Sequence, residues 1–253
     1  MPGPSSVSTV PAPASRALPP AGPVQPAGPA LPPAGSAPCL GPVLPLAGPA
    51  PAAGVPLALP PGVTGVYVIA VSTDGLDRPA QRVRVRAALV QLAARLLAVP
   101  AARIAIAAAP GQRPRIVLSG ADGRPQSGPT PGCAISHEDG LSLAALHLHG
   151  AVGVDLMRPQ PVPDWAQLAH DYLGPQVASQ LAACPPAQRA QALALAWTAR
   201  EADLKCRGLG LSEWTGAAPD GHCRLHALAL PEGYVGTLAL PLPASDAGTL
   251  ALA

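Results

Sequence analysis

The chain has 253 residues, with 36 prolines, 26 glycines, no phenylalanine and a net charge of +2. So small a charge excludes a general nucleic-acid binder, and five widely spaced cysteines (Cys39, Cys133, Cys184, Cys206, Cys223) argue against a disulfide framework. The N-terminus lacks the basic start and unbroken apolar core of a secretory signal. Prolines interrupt its apolar runs well before the roughly 20 residues that a membrane span needs, so a soluble, cytoplasmic protein without membrane contact is expected.

Residues 1–62 hold 19 of the 36 prolines, one charge (Arg16), no acid and no aromatic. Such a segment buries too little to offset its ordering entropy, and a disordered Pro/Ala-rich tail is expected. Regular structure is predicted to begin at GVYVIAVS (65–72), a β-rich run ending in the turn-like STDG. Apolar residues at Val83, Val85, Leu89, Val90, Leu92, Leu96 and Leu97 recur at helical spacing, predicting a helix over 79–97. A short strand near Ile104 and a loop carrying GQRPRI and DGRP follow. The runs LSLAALHL (141–148) and AVGVDLM (151–157), parted by a His-Gly turn, predict an antiparallel hairpin. Helical segments are predicted at 164–172, 175–183 and 186–207, the last opened by Pro186 and closed by Gly208. LHALALPEGYVGTLALPL (225–242) reads as a closing hairpin about Pro-Glu-Gly.

Charge is uneven along this plan. From 63 to 136 nine arginines stand against three aspartates, and from 137 to 253 six basic residues stand against eleven acids. A basic half followed by an acidic half suits a ligand that brings both phosphates and a metal. Within the acidic half, Glu201 and Lys205 are four apart on the predicted helix, with Trp197 one turn earlier on the same face. An i, i+4 Glu–Lys pair is ordinarily a solvated bridge. Two features favour a site: the aromatic neighbour, and the fact that Lys205 is the only lysine beside fifteen arginines. A compact ammonium fits where a planar guanidinium cannot. Asp155 ends an apolar strand and is either a solvent-facing stop or a metal-binding carboxylate. Ser136-His137-Glu138-Asp139 cannot be a nucleophilic triad, because consecutive residues rarely converge. His137 is a candidate phosphate contact. Cys206, His222, Cys223 and His226 lack the paired spacing of a zinc site, and Trp165 and Trp214 suit packing rather than base stacking.

GVDLM (153–157), followed about forty residues later by WTAREADLKCRGLGL (197–211), resembles the two signatures of Sfp-type 4′-phosphopantetheinyl transferases, G-[VI]-D-[VI]-E and W-x-x-K-E-x-x-x-K with a glycine-rich ending. ISHEDGLSLAAL is similar to the S-H-S segment of that family, and GQRPRI and DGRP both stand as candidates for its G-[KR]-P element. The resemblance spans about 65 to 240.

It implies an α+β fold of two pseudo-symmetric lobes, 63–152 and 153–253, with a cleft between them. It also implies a monomeric enzyme that moves the phosphopantetheine arm of coenzyme A to a serine of an acyl or peptidyl carrier protein, releasing adenosine 3′,5′-bisphosphate. Asp155 and Glu201 then match Mg²⁺ ligands, Glu201 and Lys205 match catalytic groups, and Ser136 and His137 match coenzyme contacts. Arg82, Arg86 and Arg124 of the basic half are added as candidate holders of the remaining phosphates. Two departures favour the alternative of a weakened or inactive relative that binds without transfer. Met157 stands where the family has a second carboxylate, and Glu138, in place of serine, brings a negative charge near the expected phosphate site.

Overall fold

A computed structural model of the chain describes residues 54–108, 112–126, 130–216 and 222–242. Most of the expected tail, 1–53, lies outside the described residues. Its junction does not fall at 62, however. Strand β1 (Val55–Pro56) pairs antiparallel with β2 (Val66–Ser72), and Leu57, Leu59 and Val63 pack on the core, so the domain starts by residue 55.

From β2 the chain enters helix α1 (Arg78–Leu97). Asp77 caps it, its Oδ1 accepting the Ala80 N–H at 2.8 Å, and Pro79 fits the first turn, where no intrahelical N–H is needed. The helix buries Gln81, Val85, Ala88, Leu89 and Leu92 along one stripe, whereas Val83, expected among the apolar positions, is 70 % exposed. Strands β3 (Ile104–Ala107), β4 (Arg115–Leu118), β5 (Gly132–Glu138) and β6 (Leu141–His147) complete a six-stranded antiparallel sheet in the order β1-β2-β6-β5-β4-β3.

Strand β7 (Gly153–Met157) opens the second unit. A helical turn α2 (Trp165–Leu168) runs into a π turn (Ala169–Leu173), then come α3 (Pro175–Ala183) and α4 (Pro186–Arg207). Strands β8 (Cys223–Ala227) and β9 (Val235–Pro241) close a three-stranded sheet ordered β7-β9-β8, the expected final hairpin. Trp165 and Trp214 serve packing: Trp165 lies under the Arg189 guanidinium at 4.4 Å, and the Trp214 ring covers Gly174.

The other expected hairpin is not formed. Strand β6 pairs with β2 on one edge and β5 on the other, and β7 pairs with β9 in the second sheet. The tight turn is Asp139-Gly140, between β5 and β6, where Gly140 has φ +78°. With both edges of β6 occupied, 148–152 must cross between the sheets. The crossing passes so close to β5 that a Cβ on Gly132 would sit 2.1 Å from the Gly150 oxygen.

The sheets share one core. Val66, Val68, Ala70, Ala134, Leu143 and Ala145 of the first face Val152, Val154, Leu156 and Leu238 of the second. The far face of the first sheet (Ile69, Val71, Cys133, Ala144, Leu146) is covered by α1. Strand β6, buried on both faces, therefore reads as a continuous apolar run instead of an alternating one.

Candidate active site

Helix α4 lies directly on β7 and β9. The approach needs Gly153, because a Cβ there would fall 1.9 Å from the Ala202 oxygen. A buried Thr198–Thr237 hydroxyl contact of 3.0 Å fixes the helix against β9. Gly208, at φ +73°, ends α4 and returns its N–H to the last turn. Trp197, Glu201 and Lys205 then project from one face toward the end of β7, which delivers Asp155 and Met157, and toward the end of β5, which delivers Ser136 and Glu138. Together with Arg78, His137 and Leu156, these side chains line a cleft of about 380 Å³ between the two sheets.

Asp155 is 6 % exposed, and its Oδ1 accepts two short hydrogen bonds: from the Lys205 ammonium at 2.6 Å and from the Ser136 hydroxyl at 2.6 Å. Glu201 stands one helical turn before Lys205. Burial pushes its carboxyl up and Asp155 adds to this, while Lys205 and Arg200 oppose it. The strand end is therefore neither a solvent-facing stop nor an isolated charge. It is a buried carboxylate paired with one ammonium, with the Glu201 carboxyl lining the same cleft.

His137 leaves β5 on the opposite face from Ser136. Its Nδ1 meets the buried Ser142 hydroxyl at 2.8 Å. Burial lowers its pKa from 6.5 to about 4, helped by Arg78, Arg82, Lys205 and Arg86. Three of these arginines are four residues apart on α1 and form one cationic stripe beside the imidazole. Arg78 carried no signal in the sequence beyond its i, i+4, i+8 spacing with Arg82 and Arg86.

A neutral His137 at pH 7 follows. The unfolded chain takes up this proton near pH 6.5 and the folded one only near 4, so His137 costs stability as pH falls through that window. Expected by NMR is an imidazole that stays neutral down to about pH 5 and titrates near 4, moving upward when inorganic phosphate is added. Titration near 6.5 in the free protein would contradict a buried imidazole flanked by the cationic stripe.

The other expected residues divide. Arg124 is not brought to this cleft; it sits in the 120–125 turn, where its N–H bonds Asp122 and its carbonyl accepts the Gly120 N–H. Of the two candidate G-[KR]-P elements, GQRPRI reaches the site helix, the Arg113 guanidinium lying 3.5 Å from the Cys206 oxygen at the end of α4. Glu138 lines the same cleft as His137. It shares the Ser136 face, and its oxygens accept the backbone N–H groups of Asp139 (2.8 Å) and Arg158 (3.2 Å). Beyond it, Arg158 and Tyr234 join the two units: the guanidinium donates to the Tyr234 oxygen at 2.6 Å, and that hydroxyl donates to the Asp139 carbonyl at 2.6 Å.

Among the described residues no three His, Cys, Asp or Glu side chains cluster as a metal cage, and no helix is long and apolar enough to cross a membrane. Two carboxylates on one cleft wall nevertheless match the needs of Mg²⁺, which takes one or two carboxylates and fills its other positions with water and substrate phosphate oxygens.

Comparison with known proteins finds similarity in the second unit. Residues 151–231 match the family model of the 4′-phosphopantetheinyl transferase superfamily, a stretch that runs from β7 through α4 into the closing hairpin. A curated Synechocystis sp. protein, named provisionally as a 4′-phosphopantetheinyl transferase, is 34% identical over 83 residues. That match covers 33% of this chain and 34% of the relative, so the chain spans about a third of the length of the relative it matches.

Proposed function

We propose that this protein, whose residues 151–231 match the family model of the 4′-phosphopantetheinyl transferase superfamily, transfers the 4′-phosphopantetheine group of coenzyme A to a serine hydroxyl of an acyl or peptidyl carrier protein, releasing adenosine 3′,5′-bisphosphate. The convergence of Asp155, Glu201 and Lys205 on one cleft, from a strand and a helix 46 to 50 positions apart in the chain, is the observation that carries the reading.

The reaction attacks the β-phosphorus of the coenzyme pyrophosphate with the carrier serine oxygen. Glu201 is the base: burial holds its carboxyl above the usual range, which makes it a better proton acceptor once ionised. The Lys205 ammonium, already anchored to Asp155, stabilises charge gathering on the transferring phosphate and the leaving bisphosphate. In the tautomer in which Ser142 donates to Nδ1, the neutral His137 ring carries its proton on Nε2 and would offer it to a phosphate oxygen, beside the Arg78, Arg82 and Arg86 charges. Asp155 and Glu201 would hold Mg²⁺, which when bound neutralises pyrophosphate charge and makes phosphorus more electrophilic.

The test is direct. The full chain, incubated with coenzyme A, magnesium and an apo carrier domain, should add the mass of one phosphopantetheine to the carrier. If a panel of acyl and peptidyl carriers gains nothing while coenzyme A still binds, the second reading, binding without transfer, takes over. That reading is favoured by one observation: Met157 lines the cleft beside Asp155, and a thioether is a poor magnesium ligand. Met157→Glu is expected to lower the magnesium concentration for half-maximal transfer several-fold. An unchanged requirement would show that position 157 does not serve the metal.

A further inference from the structure

We propose that Ser136 is a positioning residue for the metal-binding carboxylate, holding Asp155 in the orientation a divalent cation needs, and does not contact the coenzyme. The inference rests on the transferase reading and deepens it at one residue, which the sequence had grouped with His137 as a coenzyme contact.

Adjacent residues of a strand project to opposite faces, so Ser136 and His137, though both line the cleft, point to different sides of β5. His137 turns toward the arginine stripe of α1, and Ser136 turns toward β7 and is 5 % exposed. A hydroxyl has one proton to donate and two lone pairs to accept with. At Ser136 the proton goes to Asp155 Oδ1 at 2.6 Å, one lone pair takes the Leu156 N–H at 3.3 Å, and the other faces the Lys205 ammonium at 3.5 Å. No capacity remains for a phosphate oxygen.

The same three contacts define what the residue does. The Leu156 N–H anchors the hydroxyl to the backbone next to Asp155, so its direction is set by β7 itself. A short O–H···O⁻ bond to Oδ1 is of the strong, charge-assisted kind. It stops rotation of the carboxylate about its terminal torsion, which is otherwise broad. Ser136 and Lys205 both hold Oδ1, and Oδ2 is the oxygen that no described side chain engages. Asp155 is thereby prepared as a ligand through a single oxygen. Partners that orient a metal ligand typically change affinity 10–100-fold when removed.

Two binding measurements on the full chain, without any carrier protein, test this. Mn²⁺ is titrated by electron paramagnetic resonance at saturating coenzyme A, and coenzyme A is titrated by calorimetry in EDTA. Ser136→Ala is expected to weaken Mn²⁺ about ten-fold and coenzyme A less than two-fold. His137→Ala is expected to do the reverse. Ser136→Thr, which keeps the hydroxyl, should recover most of the Mn²⁺ affinity, and this separates lost orientation from general loosening of β5.

The proposal is overturned if Ser136→Ala weakens coenzyme A as much as Mn²⁺ or leaves Mn²⁺ unchanged. It is also overturned if threonine binds Mn²⁺ no better than alanine, or if the wild-type chain binds no Mn²⁺. Because no carrier is present, a selective Mn²⁺ loss in a protein that modifies no carrier would sink the transferase reading alone.

Discussion

Asp155→Ala is expected to lower kcat/KM for phosphopantetheine transfer by about a thousand-fold while the protein still folds. The carboxylate sits at the junction of both units and meets both groups that define the cleft, Ser136 and Lys205, at 2.6 Å. On the proposed transferase reading, removing it takes away a charge that would hold the cation and frees the ammonium assigned to the transferring phosphate. Loss of a single pre-arranged electrostatic group at an acyl- or phosphoryl-transfer site costs about 10²–10³-fold, and two functions are lost together here. The stability cost is smaller. The Lys205 side chain is 30% exposed and can recover water, so the penalty stays below the ~3–5 kcal/mol of a fully buried broken pair. Rates by carrier mass shift and urea unfolding of the same preparation check both halves. Activity within ten-fold of wild type would remove Asp155 from the mechanism.

Gly153→Ala should produce the largest stability loss of any single methyl addition in the described structure. The new Cβ would stand 1.9 Å from the Ala202 oxygen and 2.6 Å from the Cys206 nitrogen, both backbone atoms of α4. Neither can move without displacing the helix. Overpacking commonly costs ~1–3 kcal/mol, and a clash with two backbone atoms of the packed helix places this change at about 3 kcal/mol or more. Activity should fall too. Ala202 lies between Glu201 and Asp203, so lifting α4 from β7 carries Glu201 and Lys205 away from Asp155, and a shift of ~1 Å can cost about 10²-fold. Gly210→Ala is the control, since a Cβ there meets nothing within 4 Å. A urea midpoint for Gly153→Ala close to that of Gly210→Ala would refute the close helix–strand contact.

The legible parts of the site were those encoded by local spacing. Glu201 and Lys205 share a face because 3.6 residues make a turn, and this held in α4 as it would in an isolated helix. Asp155 was recognisable as a strand-end carboxylate, but its two possible fates could be separated only by what lay opposite. Arg78 was missed because its value comes from the face of α1 that packs over β5, and Arg124 was included because charge alone carries no position. Glu138 was read as a charge near the site, and it does line the cleft; its contact with the Arg158 N–H at the end of β7 depends on a neighbouring strand that the sequence did not reveal.

What the sequence determined by itself was the set of elements with local causes. Helix α4 runs from Pro186 to Arg207, where a proline ring fixes one φ at the start and Gly208, with a left-handed φ of +73°, ends the run; α1 starts after Asp77, whose side chain caps it. The helical face of the site belongs to the same class, because it depends on neighbours a few residues apart. Tertiary structure decided which strands pair and which side chains meet. The run 141–147 could have folded back on 151–157, but its edges are filled by β2 and β5, residues 66–72 and 132–138. Pairing of this kind compares distant segments competing for the same backbone hydrogen bonds, and no local pattern ranks them. The Ser136–Asp155–Lys205 contact is the clearest case. It joins positions 19 and 50 residues from Asp155, and only the closure of the two sheets on a shared core brings them within 2.6 Å.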